Sequence, residues 1–393
     1  MSKKRFMVLS ILMVVAMLLS ACGPAVAPTA GDATKAPGGE APAGDGTVYK
    51  VGLIVPLSGD AKTFGISTMN GVMMAVEEAK AEGFNIDILV EDGKCDAQEG
   101  TNAATKLITQ DKVHYIIGAV CSSESLPVSV LAEQNKVVQI TPPSTNPAVT
   151  VNEDGTVKQY VFRACFLDPF QGVVMAALAK ELGATKAAIL YDVSNDYVKG
   201  LAEYAKESFE QGGGEVAVFE AYTKNDTDFS AILSKVADAN VDVIFLPDYY
   251  NKVNLIAQQI KEKGITATMI GGDGWDSSDL ELDLMEGGYF SNHYSPQDPR
   301  DVVQNFVKNY QTKYNSMPDS FATLGYDAAK ILIQAIQEAG TDDTTLVAQK
   351  MAAIQYSGVT GDISFDEQHN PIKKAAIIKI SGGQTEFFKF VAP

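Results

Sequence analysis

The chain has 393 residues, with 31 Lys and Arg against 49 Asp and Glu and a formal net charge of −18. A surface this acidic repels phosphate backbones, which excludes nucleic acid as a partner. With no CxxC pair, and with His114, His293 and His369 far apart, the four cysteines and three histidines lack the spacing of a metal site.

Lys3, Lys4 and Arg5 precede fourteen mostly apolar residues, Phe6 to Leu19, and then Ser20, Ala21 and Cys22. This is the layout of an export signal, too short for the ~20 apolar residues a bilayer span needs. Removing residues 1–21 takes away three basic residues and no acidic one, moving the formal charge from −18 to −21. The tetrapeptide ending at Cys22 resembles a bacterial lipobox. That resemblance implies cleavage before Cys22 and a lipid on its thiol, hence anchorage to the outer face of the cell membrane. Residues 22–47 are rich in Ala, Pro and Gly and cannot bury enough surface to offset the entropy of ordering. As a flexible coil they make a tether reaching roughly 30 Å.

The remaining ~345 residues exceed one ordinary core, so two lobes are expected. From "YKVGLIVPLSG" onward, short Val- and Ile-rich runs alternate with longer amphipathic ones, the pattern of parallel sheets wrapped by helices. Met69, Val72, Met73 and Val76 fall on one helical face that reads as core. Strands are expected at 84–92, 113–120 and 136–141, with helices at 96–110 and 123–135. The pattern restarts after Asp168, with strands at 186–192, 215–221, 241–246 and 267–272. Helices follow at 299–314, 320–339 and 344–355, and the chain ends in three strand-like pieces. The expected architecture is α/β: two doubly wound parallel-sheet lobes joined by a multi-strand hinge. Lobe 1 takes 48–164 and 295–370; lobe 2 takes 165–294 and 371–393.

In open parallel sheets, ligands bind beyond the carboxyl ends of the strands. The first half places there Phe64, Ser122 with Ser123, and Ser144 with Thr145; the second places Tyr197, Tyr249 with Tyr250, and Asp273 with Trp275. Together they suit a free amino acid. Ser122 and Thr145 match an α-carboxylate, Asp273 an α-ammonium, and Phe64, Tyr249 and Trp275 an apolar side chain. Each also has a plainer role as helix cap, turn residue or surface aromatic. Of Cys95, Cys121 and Cys165, one stays unpaired unless chains cross-link. Closing the 26-residue separation between the first two would stabilise the fold by about 3.5 kcal/mol.

The motifs "CDAQEG", "GAVCSSES", "TPPSTNP", "DFSAIL" and "FDEQHNP" resemble those of the periplasmic branched-chain amino acid binding proteins, type I solute-binding proteins of ABC importers. The resemblance runs over essentially all of residues 49–393. It implies that Ser122 and Thr145 hold the ligand carboxylate and that Cys121 is bonded to Cys95. It places Tyr197, Tyr249 and Phe64 at the ligand, and Pro143 as a carbonyl acceptor for the ammonium. Two positions depart: the family's acidic residue is glutamate and here Asp273, and an aromatic wall residue is matched to Thr323, implying a wider or more polar pocket.

The implied function is capture of an apolar amino acid for delivery to a membrane permease, by a monomer with no cofactor. The alternative is a ligand sensor for amino acids or short amides feeding a receptor. No P-loop and no GxSxG is present, and "GGDG" lacks the spacing of a dinucleotide site, so no enzyme is expected.

Overall fold

The computed structural model describes residues 47–393. The expected export signal, the expected lipidation site at Cys22 and all but the last residue of the expected tether lie outside the described residues. Among the described residues no helix is long and apolar enough to cross a membrane.

The first half runs β1 (Tyr49–Val55), α1 (Lys62–Ala81), β2 (Ile86–Asp92), α2 (Ala97–Thr109), β3 (Tyr115–Ile117), α3 (Ser122–Asn135), β4 (Val138–Thr141) and β5 (Val161–Arg163). These five strands form one parallel sheet in the order β2-β1-β3-β4-β5. The second half continues with α4 (Asp168–Glu181), β6 (Lys186–Asp192), α5 (Asp196–Gln211), β7 (Glu215–Tyr222), α6 (Ser230–Ala239), β8 (Val243–Leu246), α7 (Tyr250–Glu262), β9 (Thr268–Gly271) and β10 (Tyr289–Asn292). Helices α8 (Asp301–Tyr314), α9 (Ser320–Ala339) and α10 (Thr344–Ala352) precede a two-stranded ribbon, β11 (Tyr356–Gly358) and β12 (Gly361–Ile363). The closing strands β13 (Ala375–Ser381) and β14 (Gln384–Val391) join the second sheet, ordered β14-β13-β10-β9-β8-β6-β7.

Within that second sheet the run β7-β6-β8-β9-β10 repeats the winding of the first. Each lobe therefore reverses its strand order at one point, between β1 and β3 and between β6 and β8. Loops on either side of such a reversal diverge and leave a crevice, which is where a ligand can enter. The closing strands run antiparallel: β13 against β10, and β14 against β13.

The expected strand at 113–120 stops at Ile117 because Gly118 adopts φ +127 and a Cβ there would lie 2.4 Å from the Ile54 carbonyl oxygen. The three-residue strands β5 and β11 were too short for a periodic pattern to reveal. In α1, Val72 and Val76 are buried as expected, but Met69 and Met73 are only half-buried. Met74 is buried instead, against Phe306 and Tyr310 of α8, because α1 is covered on a second side that periodicity does not show. Helix α9 also packs closely on α1: a Cβ at Gly71 would sit 1.9 Å from the Ala322 carbonyl oxygen, so only glycine allows this approach.

Glu124, in the first turn of α3, is fully buried behind the loop carrying Cys95, where Gly93 and Gly100 leave space for its side chain. Burial pushes its carboxyl up to about 8, opposed in part by the Val120 and Cys121 backbone. The folded state therefore holds a proton that the unfolded state releases near the ordinary value of 4.5. Its contribution is full below 4.5 and is lost as pH rises towards 8. We expect Glu124→Gln, which does not titrate, to gain on the wild type by up to about 1.4 kcal/mol per pH unit across that window. Urea unfolding at pH 5, 6, 7 and 8 measures it, and a constant difference would show that the carboxyl is ionised in the fold.

Candidate functional site

The strand-order reversals bring four helix starts together. Phe64 follows β1, Ser122 opens α3 after β3, Tyr197 is the second residue of α5 after β6, and Tyr249 caps α7 after β8. They meet around an interlobe cavity of about 10 Å³ lined by Phe64, Val120, Cys121, Ser122, Pro143, Tyr197, Tyr249, Asp273, Gly274 and Phe321. That is about the room a single water needs, so with the lobes placed this way the cleft has no space for a larger molecule. The lobes touch at its rim: Asp196 N–H donates to Ser123 Oγ at 3.0 Å, and Tyr250 O–H to the Asp60 carbonyl at 2.7 Å.

Aromatic rings form the walls. Phe64 stacks on Phe321 with centroids 4.0 Å apart, and Tyr197 stacks on Tyr249 at 5.2 Å. At one end lies the start of α3, where the first N–H groups have no intrahelical acceptor and the helix dipole favours an anion. Ser122 adds its hydroxyl there. Cys121 precedes it and is joined to Cys95, with Cα atoms 5.3 Å apart.

At the other end stands Asp273. Its Oδ1 accepts from Gln171 Nε2 at 2.9 Å and from the Tyr197 hydroxyl at 2.8 Å, while Oδ2 lies 2.9 Å from His293 Nε2. The glycines of "GGDG" permit this crowding: a Cβ at Gly272 would meet Gln171 Oε1 at 2.3 Å and the Tyr197 hydroxyl at 2.6 Å. Burial holds the Tyr197 hydroxyl well above the usual phenol range, reinforced by the charge of Asp273, so it stays a donor.

Of the ten residues assigned to the ligand from sequence, Phe64, Cys121, Ser122, Pro143, Tyr197, Tyr249 and Asp273 share this cavity, and three do not. Trp275 is wholly buried in the lobe, donating from Nε1 to the Leu246 carbonyl at 3.0 Å. Asp273 to Trp275 form a single 3₁₀ turn, whose ~120° step per residue aims the first side chain at the cleft and the third into the core. Thr323 also lies outside the lining. Its hydroxyl donates back to the Ser320 carbonyl at 2.9 Å, and Phe321, two residues earlier at the start of α9, is the wall. Phe321 therefore gives the cavity an aromatic face at this point. Thr145 is wholly buried but not among the lining residues; its carbonyl accepts from the Asp168 N–H at 3.0 Å.

Phe321, Gln171 and His293 escaped the sequence reading. The Asp319 cap, whose carboxylate accepts from the Ala322 N–H at 2.9 Å, marked the helix start that carries Phe321. His293 immediately follows the end of β10, where the rule of strand ends already applied.

Residues 48–384 match the family model of periplasmic binding proteins. The chain is 29% identical over 328 residues to the leucine-, isoleucine-, valine-, threonine- and alanine-binding protein of Pseudomonas aeruginosa, covering 81% of this chain and 86% of that one. It is 32% identical over 332 residues to a Leu/Ile/Val-binding protein homologue of Brucella abortus, covering 82% and 87%. Among solved structures, the leucine-binding protein LivK of Thermotoga maritima superposes with a TM-score of 0.84 at 35% identity, covering 88% of this chain and 99% of that one. LivJ of Streptococcus pneumoniae, in complex with isoleucine, gives 0.81 at 29% identity, with 88% and 100% covered.

Proposed function

The chain belongs to the periplasmic binding protein family, and from that premise we propose that it captures a free apolar amino acid between its lobes and presents it to the permease of an ABC importer. The observation that carries this reading is the polarity of the cavity. A helix start with Ser122 faces one end, and the Asp273 carboxylate faces the other. Once the lobes part, a zwitterion laid between them satisfies both, with its α-carboxylate at α3 and its α-ammonium at Asp273. Pro143 retains a carbonyl that accepts an ammonium hydrogen. Phe64, Tyr197, Tyr249 and Phe321 then receive an aliphatic side chain, as befits relatives named for leucine, isoleucine and valine.

The body works outside the cytoplasm as a monomer without a cofactor, held to the membrane surface by a lipid on Cys22 and the tether that follows. The motif cysteine holds the loop from which Ser122 projects.

A thermal-shift screen tests the ligand class directly. Binding stabilises only the folded state, so leucine or isoleucine at 100 times its dissociation constant adds about 2.7 kcal/mol. Acetamide-type neutral amides at matched concentration are expected to add far less. If amides stabilise the protein and no amino acid does, the capture reading is wrong.

A further inference from the structure

Strands β9 and β10 are parallel neighbours, with Gly271 opposite Phe290. In that register the residues two and three beyond each partner lie side by side past the sheet edge. Asp273 and His293 are such residues. Their side chains are 5% and 0% exposed, so the 2.9 Å contact is shielded from water. The ring is held flat against Phe166, centroids 3.8 Å apart, and its Nδ1 has no hydrogen-bond partner.

We propose that His293 is a positioning residue that sets the charge of the ammonium end of the cleft: neutral, it donates from Nε2 and leaves Asp273 a full anion for the ligand; as an imidazolium it cancels that anion. The proposal rests on the amino acid reading above. Geometry favours the neutral ring, because an imidazolium would strand a buried Nδ1–H with no acceptor. The charged groups facing the ring pull in both directions. Asp273 and Asp276, on the turn after β9, favour the imidazolium; Lys373, just before β13, opposes it. The charge of Asp273 also acts on Asp168 of α4. Burial outweighs the two carboxylates and holds His293 below its ordinary value.

A ligand ammonium and a His293 proton then compete for the same carboxylate, and each weakens the other's binding. Below the ring's titration point, capture requires the loss of one proton, so affinity falls about tenfold per pH unit. Aromatic walls alone would show no such slope.

Calorimetry with leucine from pH 7.5 down to 4.5 compares the wild type with His293→Gln, which keeps a neutral donor. The wild type is expected to lose affinity about tenfold per unit at the acid end relative to the variant. Parallel profiles overturn the proposal. Should the variant not fold, labelled-histidine NMR of the wild type replaces it, since the chain has only three histidines. Saturating leucine is expected to move the His293 titration to lower pH, and an unmoved titration overturns the idea. A protein that binds no amino acid at any pH overturns the capture reading instead. The pair is then judged by Asp273→Asn, in which the His293 titration moves to lower pH if the two groups are coupled and stays in place if they are not.

Discussion

Asp273→Ala is expected to bind an amino acid ligand ~2 to 5 kcal/mol more weakly than the wild type, because truncation leaves a desolvated ammonium without its counter-charge. At 1.4 kcal/mol per decade this is roughly thirty-fold to several-thousand-fold. The carboxylate does more than face the ligand: it also accepts from Gln171, Tyr197 and His293. Alanine frees all three donors, and some of the loss is their disorder. Asp273→Asn separates the two effects, since it keeps the volume and removes the charge. It should lose nearly as much affinity for an amino acid while barely altering the binding of a neutral amide. Calorimetry on both variants with both ligands gives the answer. If Asp273→Asn holds leucine as tightly as the wild type does, Asp273 only organises its turn.

Cleaving the link between Cys95 and Cys121 is expected to cost about 3.5 kcal/mol of stability, from the unfolded-state freedom returned to a loop with a sequence separation of 26. The same cleavage should weaken ligand binding, because Cys121 lines the cavity and immediately precedes Ser122. Urea unfolding of Cys95→Ser/Cys121→Ser against the wild type measures the first effect, and titration of the folded variant measures the second. Cys165 offers no substitute partner. It is wholly buried, donates to the Ser144 carbonyl, and has its thiol pushed up to about 12 by burial. A double variant as stable as the wild type would show that the loop is held by packing alone. A folded variant with unchanged affinity would show that Ser122 keeps its place without the link.

How much of this was legible beforehand follows from the range of each interaction. Alternating apolar runs are local, so the repeated α/β units and the placing of Ser122, Tyr197, Tyr249 and Asp273 beyond strand ends could be read from the chain. The family motifs carried the link between Cys95 and Cys121. Where a side chain points within a single turn is not a local matter. Asp273 and Trp275 both follow β9, and only the docking of their 3₁₀ turn on the lobe sends one to the cleft and the other beneath Gly271. The exchange of Thr323 for Phe321 has the same origin: α9 is fixed by its close approach to α1 at Gly71, and that packing decides which residue of its first turn meets Phe64.

The sequence by itself determined the longer elements, their order, and the chemical character of the residues at their ends, because these depend on neighbours within a few positions. Tertiary structure alone decided the partners of Asp273. Gln171 comes from α4, Tyr197 from α5 and His293 from the end of β10, 102, 76 and 20 residues away along the chain. They meet because parallel strands align their carboxyl ends at one edge of a sheet, and that edge exists only once the strands have paired.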